Sequence, residues 1–298
     1  MIGQLHKLTQ RLSFCLLLLC ASYTAAFASD GTSTKSLLWE ISGKGLKKPS
    51  FLYGTLHAIC PEEFALSDVV KDRLKRTEQL SLEIDMDDPN FMLELQKGAM
   101  MPNGGSLKSF YNEEQYKMIS NHFASTMGIN ISQVDGLKPF ILSSMLIPQI
   151  TECKPESYEQ ALMTLAKEQG KEVIGVETVQ DQFTAFDKLS QQQQALLLLE
   201  SIEDLQKARE QYREMVQLYL TQDLLGLEQQ VKSNYKGDYA LFEKAMLIDR
   251  NKNWIPVIEK EAKAKPTFFA VGAAHLPGDN GVIALLRKQG YTVKPVLK

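Results

Sequence analysis

"PSFLYGTLH", residues 49–57, and "PTFFAVGAAH", residues 266–275, are two versions of one phrase. Each opens on Pro and a small hydroxyl residue, runs through an aromatic-rich apolar segment, and closes on Gly-x-x-His. Short apolar runs of this kind, bounded by Pro and Gly, are strand signals. The closing Gly has no Cβ, so the backbone there is free to turn sharply or to approach another group closely. Each His then projects from the end of its strand, and α/β proteins place ligands at the carboxyl ends of their strands. The phrases lie near opposite ends of the chain. Placed in one sheet, they bring both histidines to the same edge.

The rest of the pattern agrees with such a sheet. "LLWEIS" at 37–42 reads as a strand joined to 50–57 by a hairpin whose turn is marked by Gly43, Gly45 and Pro49. An amphipathic helix through "LSDVVKDRLKRT" leads to a strand "QLSLEID" at 79–85. "EVIGVE" at 172–177 is a short buried strand, and the ending is strand, helix, strand, with Gly290 closing the helix. Between these lie helical stretches, about 89–169 and 178–263. Gly128 stops one helix. Ser157 caps another, with Gln160 three residues on and Gly170 at its end. Ser190 and Gln193 form a capping box at the start of the Gln- and Leu-rich segment 189–223, read as two helices. With no Pro/Gly/Ser-rich linker between the parts, residues 29–298 are expected to form a single α/β (α+β) domain. Its central mixed sheet is built from N- and C-terminal strands and carries large helical insertions.

Lys7 and Arg11 precede the apolar run "LSFCLLLLCA", and "AFA" ends at Ala28. This is the layout of a signal peptide, 1–28, too short for a membrane span. Cleavage and export to the periplasm or medium are expected; anchoring as a lipoprotein through Cys20 is the rival, disfavoured by the bulky Leu19 before it. Removing the segment takes away two cations and no acid, moving the formal charge from −3 to −5. A mildly acidic chain without a basic run is not a nucleic-acid binder, and no later stretch has the length of a transmembrane segment. Cys60 and Cys153 remain. Exported cysteines pair more often than not, so a bridge is expected to hold the loop beside His57; two unrelated buried thiols are the alternative.

After the signal peptide only His57, His122 and His275 are left, and two of the three sit in the matched phrases. His122 lies mid-helix and reads as a packing residue. Glu83 closes an apolar strand, a position that is costly for a carboxylate unless it is paired or bound to a cation. His57, His275 and Glu83 together form a two-His, one-carboxylate set, which suits a first-row divalent metal. Glu177, at another strand end, with Gln182 and the Arg250–Asn251 pair, are candidate supporting residues.

The segments "FLYGTLHAICPEEFALSDVVKDRL", "LSLEIDMDD", "VIGVETVQDQ", "LIDRNKNW" and "FFAVGAAHLPGDNGVIALLRKQGYTVKPV" resemble the TraB/GumN family, which includes the animal Tiki proteins. The resemblance covers nearly all of residues 36–298. It implies a fold similar to erythromycin esterases and ChaN-like haem-binding proteins, and a metal-dependent protease activity. In the Tiki proteins that activity requires both Gly-x-x-His histidines and a Glu, positions that fall here on His57, His275 and Glu83. The implied metal is manganese or cobalt, with zinc a further candidate. The leading expectation is therefore an exported metal-dependent hydrolase acting on a peptide or small-molecule substrate. A metal-independent hydrolase with a His base, and a non-catalytic periplasmic binder of a peptide or small ligand, are the alternatives.

Overall fold

A computed structural model of the protein describes residues 35–234 and 239–297. The expected signal peptide, with Cys20 inside it, lies outside the described residues.

Strands β1 (Leu38–Ser42) and β2 (Ser50–Thr55) form the expected antiparallel hairpin. Its turn carries three successive left-handed residues, Gly43, Lys44 and Gly45, at φ +80°, +47° and +82°; glycine is the residue that adopts such angles at no steric cost. Helix α1 (Asp68–Lys75), capped by the Ser67 side chain, leads into β3 (Gln79–Ile84). The later strands are β4 (Glu172–Glu177), β5 (Thr267–Gly272) and β6 (Thr292–Pro295). All six share one mixed sheet in the order β4-β3-β5-β2-β1-β6. Strands β4, β3, β5 and β2 run parallel, while β1 is antiparallel to both β2 and β6.

The matched phrases are immediate neighbours in the sheet: Gly54 pairs with Val271 and Thr55 with Gly272. Both strands are buried at every position. This is why they read as continuous apolar runs and not as alternating ones, as inner parallel strands do. The strands are shorter than the apolar runs. The first ends at Thr55, and the second gives way at Ala273 to a 3₁₀ turn through His275. The histidines therefore stand on turns just beyond the sheet.

Between β3 and β4 come α2 (Phe91–Ala99), α3 (Glu113–Met127), α4 (Pro139–Ser144), α5 (Ile147–Thr151) and α6 (Tyr158–Glu168). Between β4 and β5 come α7 (Val179–Phe186), α8 (Gln191–Glu203), α9 (Leu205–Leu220), α10 (Leu224–Asn234), α11 (Tyr239–Glu243) and α12 (Asp249–Ala264), and α13 (Val282–Lys288) precedes β6. Ser190 and Gln193 form the expected capping box. The break between α8 and α9 falls at Asp204, whose φ/ψ of −131°/62° leaves the helical region and whose carboxylate accepts from Lys207 N at 3.0 Å.

The main core gathers the strands with α1, α6, α9, α12 and α13. A separate apolar cluster, including Ile119, Phe123, Leu142 and Leu198, lies among α3, α4 and α8. The helices away from the sheet thus bury their apolar faces against one another.

Candidate metal and acid–base centre

Four parallel strands end on one edge, and each contributes to a single polar cluster there. β2 delivers His57, β3 delivers Glu83, β4 delivers Glu177, and the turn after β5 delivers His275. Both imidazoles bring Nε2 near the same atom. Glu83 Oε1 is 3.8 Å from His57 Nε2 and 4.0 Å from His275 Nε2.

The two Gly-x-x-His glycines have different jobs. A Cβ on Gly54 would meet the Ala273 backbone at 3.1 Å, so Gly54 allows the turn carrying His275 to pack against β2. A Cβ on Gly272 would stand 3.2 Å from Glu83 Oε1 and 3.3 Å from His57 Nε2, so Gly272 leaves open the space among the three groups. Its own N–H donates to Glu83 Oε1 at 2.7 Å.

Helix α12 supplies the counter-charge. A π turn, Lys244–Ile248, precedes it; such irregularities are frequent at functional sites. Arg250, Asn251 and Trp254 then face the sheet edge. The Arg250 guanidinium donates from Nη2 to Glu83 Oε2 and to Glu177 Oε1, both at 2.6 Å, and from Nε to Glu177 at 3.1 Å. Trp254 Nε1 donates to Glu177 Oε2 at 2.8 Å, and Gln182 reaches Glu177 at 3.3 Å. The buried Glu83 is therefore paired, and its partner is Arg250. Burial opposes a charge on Glu83, but His275 when protonated, Arg250, His57 and the Gly272 N–H outweigh it and hold its pKa well below the usual carboxylate range. Burial lifts the Glu177 pKa despite Arg250.

The histidines sit in contrasting surroundings. The His275 side chain is 6% exposed and packs on the Trp254 ring at 4.3 Å. Asn251 Nδ2 donates to the carbonyls of His275 and Asn280, which turns Oδ1 toward His275 Nδ1 at 2.6 Å. An amide oxygen only accepts, so Nδ1 carries the proton and Nε2 presents its lone pair, to which Arg250 Nη1 donates at 3.2 Å. Burial, with Arg250 beside it, drives the His275 pKa down to about 3 against the pull of Glu83. The His57 side chain is 64% exposed, with Nδ1 2.8 Å from Glu159 Oε1. Water is lost only from part of the ring, which opposes its charge, but Glu159 and then Glu83 raise its pKa to about 9.

Glu159 was not foreseen. It stands in the first turn of α6, where a Glu two residues after the N-cap Ser reads as a helix-dipole partner. The expected bridge held the clue: Cys60 and Cys153 are joined, and Ile59 pairs with Glu156 in a two-hydrogen-bond bridge. These contacts draw the "KPESYE" segment against the His57 loop. His122 lies on α3 with its ring edge-on to Phe123.

Among the described residues, no three His, Cys, Asp or Glu side chains stand close enough to enclose a metal ion directly. The chemistry of the set nevertheless suits one. Two imidazole nitrogens and a carboxylate oxygen face a space that a Cβ at residue 272 would fill, and each Nδ1 is tied to an oxygen, the usual outer arrangement of a ligating His. Ligands roughly 2.1 Å from a common ion sit roughly 3–3.5 Å from one another, whereas Glu83 Oε1 stands 3.8 and 4.0 Å from the two imidazole nitrogens. Arg250 is the competing cation at His275 Nε2.

Comparison with known proteins identifies the family. A model of the TraB/PrgY/gumN family matches residues 37–295. "Metalloprotease TIKI homolog" from Nematostella vectensis is 22% identical, over 90% of this chain and 69% of that protein. "Metalloprotease TIKI2" from Danio rerio is also 22% identical, over 87% of this chain and 60% of the relative. No solved structure matches.

Proposed function

This chain belongs to the TraB/PrgY/gumN family, and from that premise we propose that it is an exported, metal-dependent hydrolase of peptides. The observation that carries the reading is the convergence of His57 Nε2 and His275 Nε2 on Glu83 Oε1 across Gly272. His57, His275 and Glu83 would hold the ion, with manganese or cobalt favoured over zinc. When bound, such an ion polarises a carbonyl and lowers the pKa of a water. Glu177, Arg250 and Asn251 support the set: Arg250 neutralises and aligns Glu83, Glu177 fixes Arg250, and Asn251 holds the His275 ring with its lone pair inward. The exposed ring of His57 forms the side of the centre that substrate meets. Export agrees with the Cys60–Cys153 bridge.

A second reading keeps the histidines without a metal. Arg250 already donates to His275 Nε2, and the Glu159–His57 pair has the form of a carboxylate-oriented general base. Purified chain, stripped with chelator and assayed on a peptide library with and without Mn²⁺ or Co²⁺, separates the two. Loss of cleavage on stripping with return on metal addition supports the metal-dependent reading. Cleavage unaffected by stripping but abolished by His57→Ala supports the second. Cleavage unaffected by the His57→Ala, His275→Ala double substitution sinks both.

A further inference from the structure

We propose that Glu159 is a positioning residue that fixes the His57 ring with Nε2 turned toward Glu83, and that the Cys60–Cys153 bridge and the Ile59–Glu156 pairing keep it in place. The inference rests on the proposed function, under either of its readings, since both require the Nε2 lone pair of His57 to face the cluster.

Every oxygen of Glu159 is committed. Oε1 receives the Thr55 hydroxyl at 2.5 Å and lies 2.8 Å from His57 Nδ1, and Oε2 receives the Ser157 hydroxyl at 2.6 Å. A carboxylate only accepts, so the Nδ1 that faces it is the protonated nitrogen, and Nε2 of the neutral ring is left bare and directed at Glu83. Glu159 itself is buried, at 6% exposure. It stands at the start of α6, where the helix dipole favours an anion.

His57 needs this contact more than His275 needs Asn251. His275 is walled in by Trp254, so packing alone restricts its ring. The His57 ring is largely open to solvent and has no comparable wall. Its orientation rests on one hydrogen bond, and that bond comes from a different element of the fold. Ile59 N donates to Glu156 O at 3.0 Å and Glu156 N to Ile59 O at 2.8 Å, one residue from Cys60 and three from Glu159. The disulfide fastens the same two segments together across 93 residues of sequence.

Long-range ¹H–¹⁵N spectra of the histidine rings in the purified chain, recorded above the His57 titration, read the tautomer directly and without substrate. The wild-type ring is expected as the Nδ1–H form. Glu159→Ala is expected to shift His57 toward the Nε2–H form that free imidazole favours, leave His275 unchanged, and lower kcat/KM about 10- to 100-fold, the usual effect of removing such a partner. Glu159→Asp, which withdraws the carboxylate by one methylene, gives an intermediate tautomer mixture and partial activity. An unchanged Nδ1–H ring in Glu159→Ala, or in Glu159→Asp should the alanine variant not fold, overturns the proposal. A wild-type chain that cleaves no peptide defeats the proposed function instead, and the spectra still decide the role of Glu159.

Discussion

Thr55 and Gly272 face each other in the parallel register of β2 and β5. That pairing sets two turns side by side, one carrying His57 and one carrying His275, from opposite ends of the chain.

Gly272→Ala introduces a Cβ 3.2 Å from Glu83 Oε1 and 3.3 Å from His57 Nε2. The backbone φ of −50° suits alanine, so the fold is expected to persist. Displacing a positioned group by a fraction of an ångström is expected to cost about tenfold or more in turnover. Gly54→Ala instead drives a methyl into the Ala273 backbone at 3.1 Å and is expected to cost about 1–3 kcal/mol of stability. Thermal denaturation and peptide turnover, measured on both variants, should show opposite profiles.

Arg250→Met leaves the buried carboxylates of Glu83 and Glu177 without their shared cation. Breaking a buried pair from one side costs about 3–5 kcal/mol, which for a chain of this size lowers Tm by roughly 10 °C. Adding Glu177→Gln to that variant should recover part of the loss. A single variant that melts with the wild type would show that the ion cluster does not hold the sheet edge together.

Replacing Cys60 and Cys153 by Ser removes a link between residues 93 apart in sequence. A native bridge contributes about 2–5 kcal/mol, and the chain-entropy relation puts a loop of this length near the upper end. Urea midpoints of oxidised wild type and the double variant measure it; equal midpoints would assign the bridge no stabilising role.

The Glu159–His57 pair predicts a pH signature in chelator-treated protein. The His57 pKa rises from an ordinary 6.5 to about 9, so the folded chain holds an extra proton between those values. Its contribution is complete below 6.5 and fades as pH climbs through 9. Burial opposes the charge on Glu159, but His57 and the Ser157 and Thr55 hydroxyls outweigh it, lowering its pKa from 4.5 to about 2. That contribution is present above 4.5 and fades as pH falls through 2. Glu159→Gln should flatten both slopes in a series of urea melts across the pH range. A variant whose stability profile overlays the wild type in both windows would show that the pair carries no such linkage.

Much of this architecture could be read directly. Apolar runs bounded by Gly and Pro mark β2 and β5, the Gly43–Gly45 turn marks the hairpin, and Ser157, Ser190 and Gly128 mark helix ends. These features depend on residues a few positions apart, so a local reading reaches them. The repeated Gly-x-x-His phrase, and the cost of burying Glu83, likewise point to one sheet edge from sequence alone. The identity of the cation beside Glu83 is another matter. Arg250 meets it from α12, at the sheet edge where β3 lies between β4 and β5. Glu159 reaches His57 from the start of α6, which a disulfide and a two-residue bridge join to the loop after β2. Spacing along the chain carries no record of such encounters, since burial and hydrogen-bond partners are settled by which distant surfaces pack together.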